Sequence, residues 1–218
     1  MIRVKICCIS SHAEAKLAVK NGASAIGLVS EMPSGPGVIP EILIAEIADA
    51  MPPAISTFLL TSRQSVSEII DQHKRCRTNT IQICDKLIGG SYLELKKAMP
   101  GIKIVQVVHV TDDESLREAE EISGFVDAIL LDSGNQKLAV KELGGTGRTH
   151  DWSVSKKIVD SVKCPVFLAG GLNPQNVSDA IRQVKPYGVD ICSGVRTDGK
   201  LDGNKLKLFF ANVSDSLK

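Results

Sequence analysis

The sequence predicts an α/β protein with a (β/α)8 barrel, the TIM-barrel fold, that forms a single domain over residues 1–218. Eight short runs rich in β-branched and aliphatic residues alternate with segments of helical periodicity. Most of these runs are apolar almost throughout, as expected of parallel strands that are covered on both faces. No linker or low-complexity segment interrupts the alternation, and eight right-handed βα units close most naturally into a barrel.

The predicted strands cover residues 2–8, 24–30, 54–61, 79–85, 103–110, 127–133, 165–171 and 188–194. Residues suited to the start of a helix precede the segments between them: Ser11, Thr61 or Ser62, Thr111, Asp151 and the pair Asn173–Pro174. A doubly wound open sheet is the alternative architecture, but no Gly-x-Gly-x-x-Gly sequence follows the first strand. The barrel is therefore favoured.

Composition excludes several classes of partner. The chain has 26 basic and 25 acidic side chains and only 4% aromatic residues, which disfavours nucleic-acid binding. It has no apolar run of the ~20 residues that span a bilayer and nothing resembling a secretory signal. The six cysteines form no Cys-x-x-Cys pair and no zinc-binding spacing with histidine. We therefore expect a cytoplasmic protein with reduced thiols, no metal, no membrane or nucleic-acid partner, and a monomeric or homodimeric state.

In a (β/α)8 barrel, functional residues lie at the C-terminal ends of the strands and in the loops that follow them. Glycine-bearing turns follow the sixth, seventh and eighth strands, where backbone N–H groups could donate to a phosphate. The candidate phosphate-binding residues are Gly145, Thr146, Gly147, Gly170, Gly171, Ser193 and Gly194. The simpler alternative is that these glycines only form tight turns. Three such loops together favour a phosphorylated small molecule as the ligand.

Two further strand ends carry groups capable of proton transfer. The first predicted strand ends in Cys7-Cys8 and the sixth in Asp132-Ser133. The thiolate of Cys7 and the carboxylic acid of Asp132 can act as base and acid. A buried cysteine is more often an inert apolar residue, so Cys7 alone is not diagnostic. Strand alternation places Lys5 on the face of Cys7, one layer lower, where it needs a buried partner. We predict that Asp190, on the neighbouring eighth strand, is that partner.

The motifs VKICCIS (4–10), LLDS (130–133), GGTGRTHDW (144–152), FLAGGLNPQNV (167–177) and VDICSGV (189–195) closely resemble the phosphoribosylanthranilate isomerase family of tryptophan biosynthesis. The resemblance implies an Amadori rearrangement that converts a phosphoribosylated aminoaldose into an aminoketose without a metal or cofactor. It assigns Cys7 as the general base at ribose C2 and Asp132 as the general acid at the ring oxygen. It also assigns the glycine-rich turns to phosphate binding. Since neighbouring strand residues face opposite ways, we expect Cys7, and not Cys8, to face the barrel mouth.

The chain departs from the family pattern at one end of the expected site. Cys8 replaces a glycine, Cys84 and Asp85 replace a His-Gly pair, and Arg196 replaces a common glutamate. Pro36 or Gly37 occupies the position where the family carries the arginine for the anthranilate carboxylate.

The candidate substrate contacts are Lys5, Cys84, His109 and Arg196. A structural role is the alternative for His109 as a satisfied inward-facing residue and for Arg196 as a solvated loop charge. Three functions stay open: an isomerase that binds anthranilate differently, an isomerase of another phosphoribosylamine, and a phosphosugar-binding barrel without activity.

Overall fold

The computed structural model describes residues 2–134, 140–145 and 147–216, and in it eight parallel strands form a closed barrel. The strands are β1 (Arg3–Ile6), β2 (Ala25–Val29), β3 (Ser56–Thr61), β4 (Thr80–Ile83), β5 (Lys103–His109), β6 (Ala128–Asp132), β7 (Val166–Leu168) and β8 (Gly188–Ile191). Each strand pairs with the next, and β8 pairs with β1. A two-stranded hairpin, β9 (Arg196–Thr197) and β10 (Lys200–Leu201), follows β8. The predicted (β/α)8 barrel is confirmed.

Helices connect the strands and surround the barrel. They are α1 (His12–Lys20), α2 (Glu41–Asp49), α3 (Val66–Cys76), α4 (Tyr92–Ala98), α5 (Asp113–Ser123), α6 (Trp152–Ser161), α7 (Val177–Val184) and α8 (Gly203–Asp215). Among the described residues, no helix combines the length and the apolar character that crossing a bilayer would require.

Some predicted helix starts are correct and others are not. Ser11 and Asp151 cap α1 and α6, where their side chains accept backbone N–H bonds from Glu14 and Ser153. The prediction of Thr61 or Ser62 for α3 was wrong. Ser65 is the cap, because Thr61 still belongs to β3 and three loop residues follow it.

Two further starts lie downstream of the predicted positions. Asp112, and not Thr111, caps α5 and accepts the N–H of Glu114. The pair Asn173–Pro174 precedes α7 by a turn, and the helix begins after Asn176. In the turn, the Asn173 side chain accepts the N–H groups of Gln175 and Asn176, so it organises the approach to the helix instead of capping it.

Apolar side chains form two concentric layers. Buried residues such as Ile6, Ile26 and Leu59 pack between the strands and the helices. A second cluster fills the barrel interior and includes Phe58 and Phe167, whose rings meet edge to face with centroids 6.0 Å apart. The interior cluster supports the residues at the strand ends from below.

Candidate active site

A cavity opens at the C-terminal ends of the strands. Its lining brings together Cys7 and Cys8 after β1, Asp132 at the end of β6, and loops from the far side of the barrel. The predicted phosphate-loop residues in the lining are Gly145, Gly147, Gly170, Gly171 and Ser193. The residues expected to carry the chemistry and those expected to hold the phosphate therefore share one cavity.

Lys5 lies beneath Cys7 in the barrel and is completely buried. Its Nζ donates to Asp190 Oδ2 at 2.8 Å, which confirms the predicted ion pair between β1 and β8. Burial alone would lower the pKa of Lys5, but the Asp190 carboxylate and the nearby Cys7 raise it above its ordinary value, so the side chain is a fixed ammonium ion. A positive charge is thus held close to the thiol that is expected to act as a base.

Gly27 in β2 leaves space for the side chains of Lys5 and Cys7. A methyl group at Gly27 would lie 2.9 Å from Cys7 Sγ and 3.1 Å from Lys5 Nζ. No side chain other than hydrogen fits there without displacing the thiol. A glycine inside a buried strand was the available signal in the sequence, because such glycines often mark a close approach.

Asp132 ends β6 with a largely buried carboxyl group. Burial raises its pKa to about 6, against the opposing effect of the Ser133 N–H, which donates to Oδ1 at 2.7 Å. A carboxylic acid with such a pKa is still about one tenth protonated at pH 7, far more than one of ordinary pKa. It can therefore donate a proton, as a general acid must.

We expect Asp132→Asn to stabilise the fold at high pH. The pKa of Asp132 is higher in the folded chain than its ordinary value of 3.8, so protonation favours the folded state. That contribution is full below about pH 4 and is lost as the pH rises through about 6. At pH 8 the free energy of unfolding of the variant should be on the order of 2–3 kcal/mol higher than that of wild type. Urea titrations at several pH values measure this, and a gap that does not narrow on acidification would contradict it.

The glycine-rich loops contact one another through their backbones. A methyl group at Gly171 would lie 2.6 Å from the Arg148 carbonyl carbon, and one at Gly194 would lie 2.2 Å from Leu172 O. Gly170 similarly leaves space for the ring of His150, with 2.9 Å to Nδ1. Larger side chains would push the loops apart. These glycines are therefore required for loop packing, in addition to their predicted role in phosphate binding.

The other residues of the glycine-rich loops differ in how they relate to the cavity. His150 Nε2 bonds Ser155 Oγ at 2.7 Å, and burial lowers its pKa to about 4, so the ring is neutral at physiological pH. Gly194 lies outside the cavity lining, behind Ser193. Thr146 lies outside the described residues. Phosphate binding by these loops stays a prediction.

The candidate substrate contacts lie at different places. Cys84 lines the cavity and is buried, which raises the pKa of its thiol. Lys5 lies below the lining. His109 lines a neighbouring cavity with Asp85, and its Nε2 donates to the Cys84 carbonyl at 3.1 Å.

Arg196 lies behind β1 and does not line the cavity. Its guanidinium pairs with Glu14 at 2.9 Å and donates to the carbonyl oxygens of Cys7 and Cys8. It therefore holds the segment that carries the two cysteines.

The expectation that strand alternation turns Cys8 away from the mouth was wrong. Strand β1 ends at Ile6, and Cys8 has a left-handed backbone with φ of 60°. Alternation applies only to extended backbone, so both Cys7 and Cys8 line the cavity.

Sequence reasoning also missed Gln82 in β4, which lines the cavity. Its Oε1 is buried and has no hydrogen-bond partner in the described part of the chain. A buried amide oxygen without a partner is costly, and an N–H or O–H group of a ligand would satisfy it. A polar residue within the apolar run of β4 was the available signal.

The fold and this cavity define the class of protein: a (β/α)8 barrel with a candidate active site at the C-terminal ends of its strands. Comparison with known proteins specifies the family. A sequence model described as N-(5'-phosphoribosyl)anthranilate isomerase matches residues 4–212. N-(5'-phosphoribosyl)anthranilate isomerase 2 of Methanosarcina mazei is 38% identical over 196 residues, covering 89% of this chain and 86% of that protein.

Solved structures agree. The isomerase of Pyrococcus furiosus superposes with a TM-score of 0.81 at 30% identity, covering 99% of this chain and 100% of that one. A phosphoribosyl anthranilate isomerase in complex with reduced 1-(o-carboxyphenylamino)-1-deoxyribulose 5-phosphate has a TM-score of 0.78 at 29% identity, with the same coverage. The chain belongs to the N-(5'-phosphoribosyl)anthranilate isomerase family and is an aldose–ketose isomerase.

Proposed function

We propose that this protein converts N-(5'-phosphoribosyl)anthranilate into the corresponding 1-deoxyribulose-phosphate aminoketose in tryptophan biosynthesis. The observation that carries the proposal is one cavity that contains a thiol above a fixed ammonium ion, a carboxyl group of raised pKa, and three glycine-bearing loops. A relative of the same fold binds a reduced analogue of that aminoketose.

Two proton transfers account for the chemistry. Asp132 donates its proton to the ring oxygen, the furanose opens, and the anilino nitrogen forms an iminium with C1. Cys7, as a thiolate, removes the proton from C2, and the resulting enolamine tautomerises to the ketone. Carbon 1 is reduced and carbon 2 oxidised within one molecule, so the atoms and electrons balance without an external redox partner. Positioning both groups around one substrate supplies the remaining rate enhancement.

The phosphate end supplies binding. Ser193 follows β8 by two residues and lies opposite Gly147, where a methyl group would be 3.7 Å from Ser193 Oγ. This places a hydroxyl and the backbone of two loops at the same end of the cavity. An anion held there would fix the ribose chain between Cys7 and Asp132.

Ser193→Ala should raise KM roughly tenfold or more and leave kcat nearly unchanged, because it removes one hydrogen bond to a charged group worth about 1.5–3 kcal/mol. Steady-state kinetics measure the two constants. Ser34→Ala is the matched control, since Ser34 lines the same cavity but its hydroxyl donates to Lys141 O at 2.7 Å. A fall in kcat at unchanged KM would contradict a role in phosphate binding.

The function itself is tested with phosphoribosylanthranilate as substrate. Its fluorescence should fall when the protein is added, and the product should have the mass of the substrate. The gene should also restore growth without tryptophan to an auxotroph that lacks this step. Phosphate-ester binding without turnover would overturn the proposal and favour a binding protein.

One observation favours a second candidate substrate. The described lining contains no lysine or arginine, and its charged side chains are Asp132 and Asp190. Pro36 or Gly37 occupies the position where the family arginine is expected. A carboxylate on the aromatic ring therefore has no cationic side chain to pair with among these residues. An isomerase of another phosphoribosylamine would turn over phosphoribosylaniline at least as efficiently as phosphoribosylanthranilate. A comparison of kcat/KM for the two compounds separates the candidates.

A further inference from the structure

Cys8 is held in an unusual position. A left-handed backbone is uncommon for a residue with a side chain, and here the Arg196 guanidinium binds the carbonyl oxygens of Cys7 and Cys8 from behind. Gly37 leaves space for the side chain, because a methyl group there would lie 2.5 Å from Cys8 Cβ. The thiol of Cys8 is thereby fixed at the rim of the cavity.

Cys192 lies just after β8, the strand that pairs with β1. It follows Ile191 directly, and the N–H of Cys7 donates to Ile191 O at 2.8 Å, so the two strand ends are in register. Cys8 and Cys192 both line the cavity, and each affects the ionisation of the other. Cys192 is partly exposed, whereas Cys8 is buried.

The two thiols differ in character. The hydrogen bond from Cys8 and the nearby Arg196 guanidinium lower the pKa of Cys192. The same hydrogen bond to Cys192, a second to Cys7, and burial raise the pKa of Cys8. A partly exposed thiol of lowered pKa therefore lies near a buried thiol of raised pKa. This is the arrangement of an attacking cysteine and its resolving cysteine.

We propose that Cys192 and Cys8 form a reversible disulfide bond when the protein meets hydrogen peroxide. The Cys192 thiolate attacks one peroxide oxygen, the O–O bond breaks, and hydroxide leaves and takes a proton to become water. Cys192 is then a sulfenic acid. Cys8 gives up its proton and attacks that sulfur, the S–O bond breaks, and a second water forms. The two thiols lose two electrons in total, and peroxide gains them.

Geometry disfavours Cys7 as the disulfide partner of Cys8. Consecutive Cα atoms are about 3.8 Å apart, whereas the Cα atoms of a disulfide are usually about 4.4–6.8 Å apart. The disulfide therefore spares the thiol of Cys7 but places a covalent bridge across the cavity rim. A loss of turnover on oxidation follows only if the proposed function is correct, whereas the disulfide itself does not depend on it.

The test treats the intact protein with hydrogen peroxide and reads out thiols and mass. Wild type should lose two of its six free thiols and the mass of two hydrogens, with Cys8 and Cys192 joined in one peptide pair. Dithiothreitol should restore both values. Cys7→Ser should behave like wild type in forming the bridge. Cys164→Ser is the matched control, because Cys164 is also partly exposed but precedes β7 at the other end of the barrel.

Two variants make the proposal falsifiable. Cys8→Ala should stop at a sulfenic acid on Cys192 that dimedone captures, and Cys192→Ser should form no intramolecular disulfide. The proposal is overturned if either variant loses two thiols as wild type does, or if peroxide modifies Cys7 first. Because the readout is mass, failure of isomerase turnover and failure of disulfide formation are distinguishable.

Discussion

Cys7→Ser should lower kcat for phosphoribosylanthranilate by about 10²–10⁴-fold, the usual contribution of a general base. A serine hydroxyl is almost entirely un-ionised at neutral pH, so it cannot take the C2 proton, although its size and position are close to those of the thiol. Asp132→Asn should lose a similar factor, because an amide cannot deliver a proton to the ring oxygen. Decay of substrate fluorescence under saturating conditions measures both rates.

The matched control for this prediction is Cys8→Gly. Cys8 lines the same cavity one residue away, and glycine adopts its φ of 60° without strain. Its rate should stay within the same order of magnitude as wild type. The Cys7→Ser/Asp132→Asn double variant should lose less than the product of the two single losses if both groups act in one sequence of proton transfers. A Cys7→Ser variant with more than a tenth of the wild-type rate would show that another group is the base.

Lys5→Met should have the largest effect on stability. It leaves the Asp190 carboxylate without its partner in the barrel interior, where only 6% of the residue is exposed. Removing one member of a buried ion pair typically costs 3–5 kcal/mol, because the other charge stays buried. We therefore expect a loss of about 3–5 kcal/mol in the free energy of unfolding at pH 7, measured by urea titration with circular dichroism.

Two comparisons isolate the cause. The Lys5→Met/Asp190→Leu double variant should recover much of the loss, since it leaves no uncompensated charge. Arg182→Met removes one member of the exposed Asp179–Arg182 pair on α7 and should cost less than about 1 kcal/mol. A Lys5→Met variant as stable as the Arg182→Met control would mean that Asp190 finds another partner.

The barrel could be predicted because its signals are local and repeated. Strands that are covered on both faces are apolar throughout, and one run such as Ile129–Leu131 is enough to identify a strand of this type. The Lys5–Asp190 pair followed from two general rules, the alternation of side chains along β1 and the adjacency of the first and last strands. Neither rule depends on fine geometry.

The parts that could not be predicted depend on single backbone conformations. Cys8 leaves the strand with a positive φ, so a rule for extended backbone placed its side chain wrongly. The start of α3 at Ser65 depends on where β3 ends, which a run of polar residues does not specify. The need for glycine at position 27 depends on the neighbouring strand β1, because Cys7 Sγ lies 2.9 Å from where a methyl group would be. Long-range proximity of this kind is absent from a single sequence.

The ion pair between Lys5 and Asp190 also bears on how the chain closes on itself. The two residues are 185 positions apart and directly opposite in the register between β1 and β8. A slip of one residue at this seam would turn one of the two charges toward the apolar layer under the helices. A barrel closed in that register would carry an uncompensated charge in its core. The ion pair therefore disfavours incorrect registers when β8 pairs with β1.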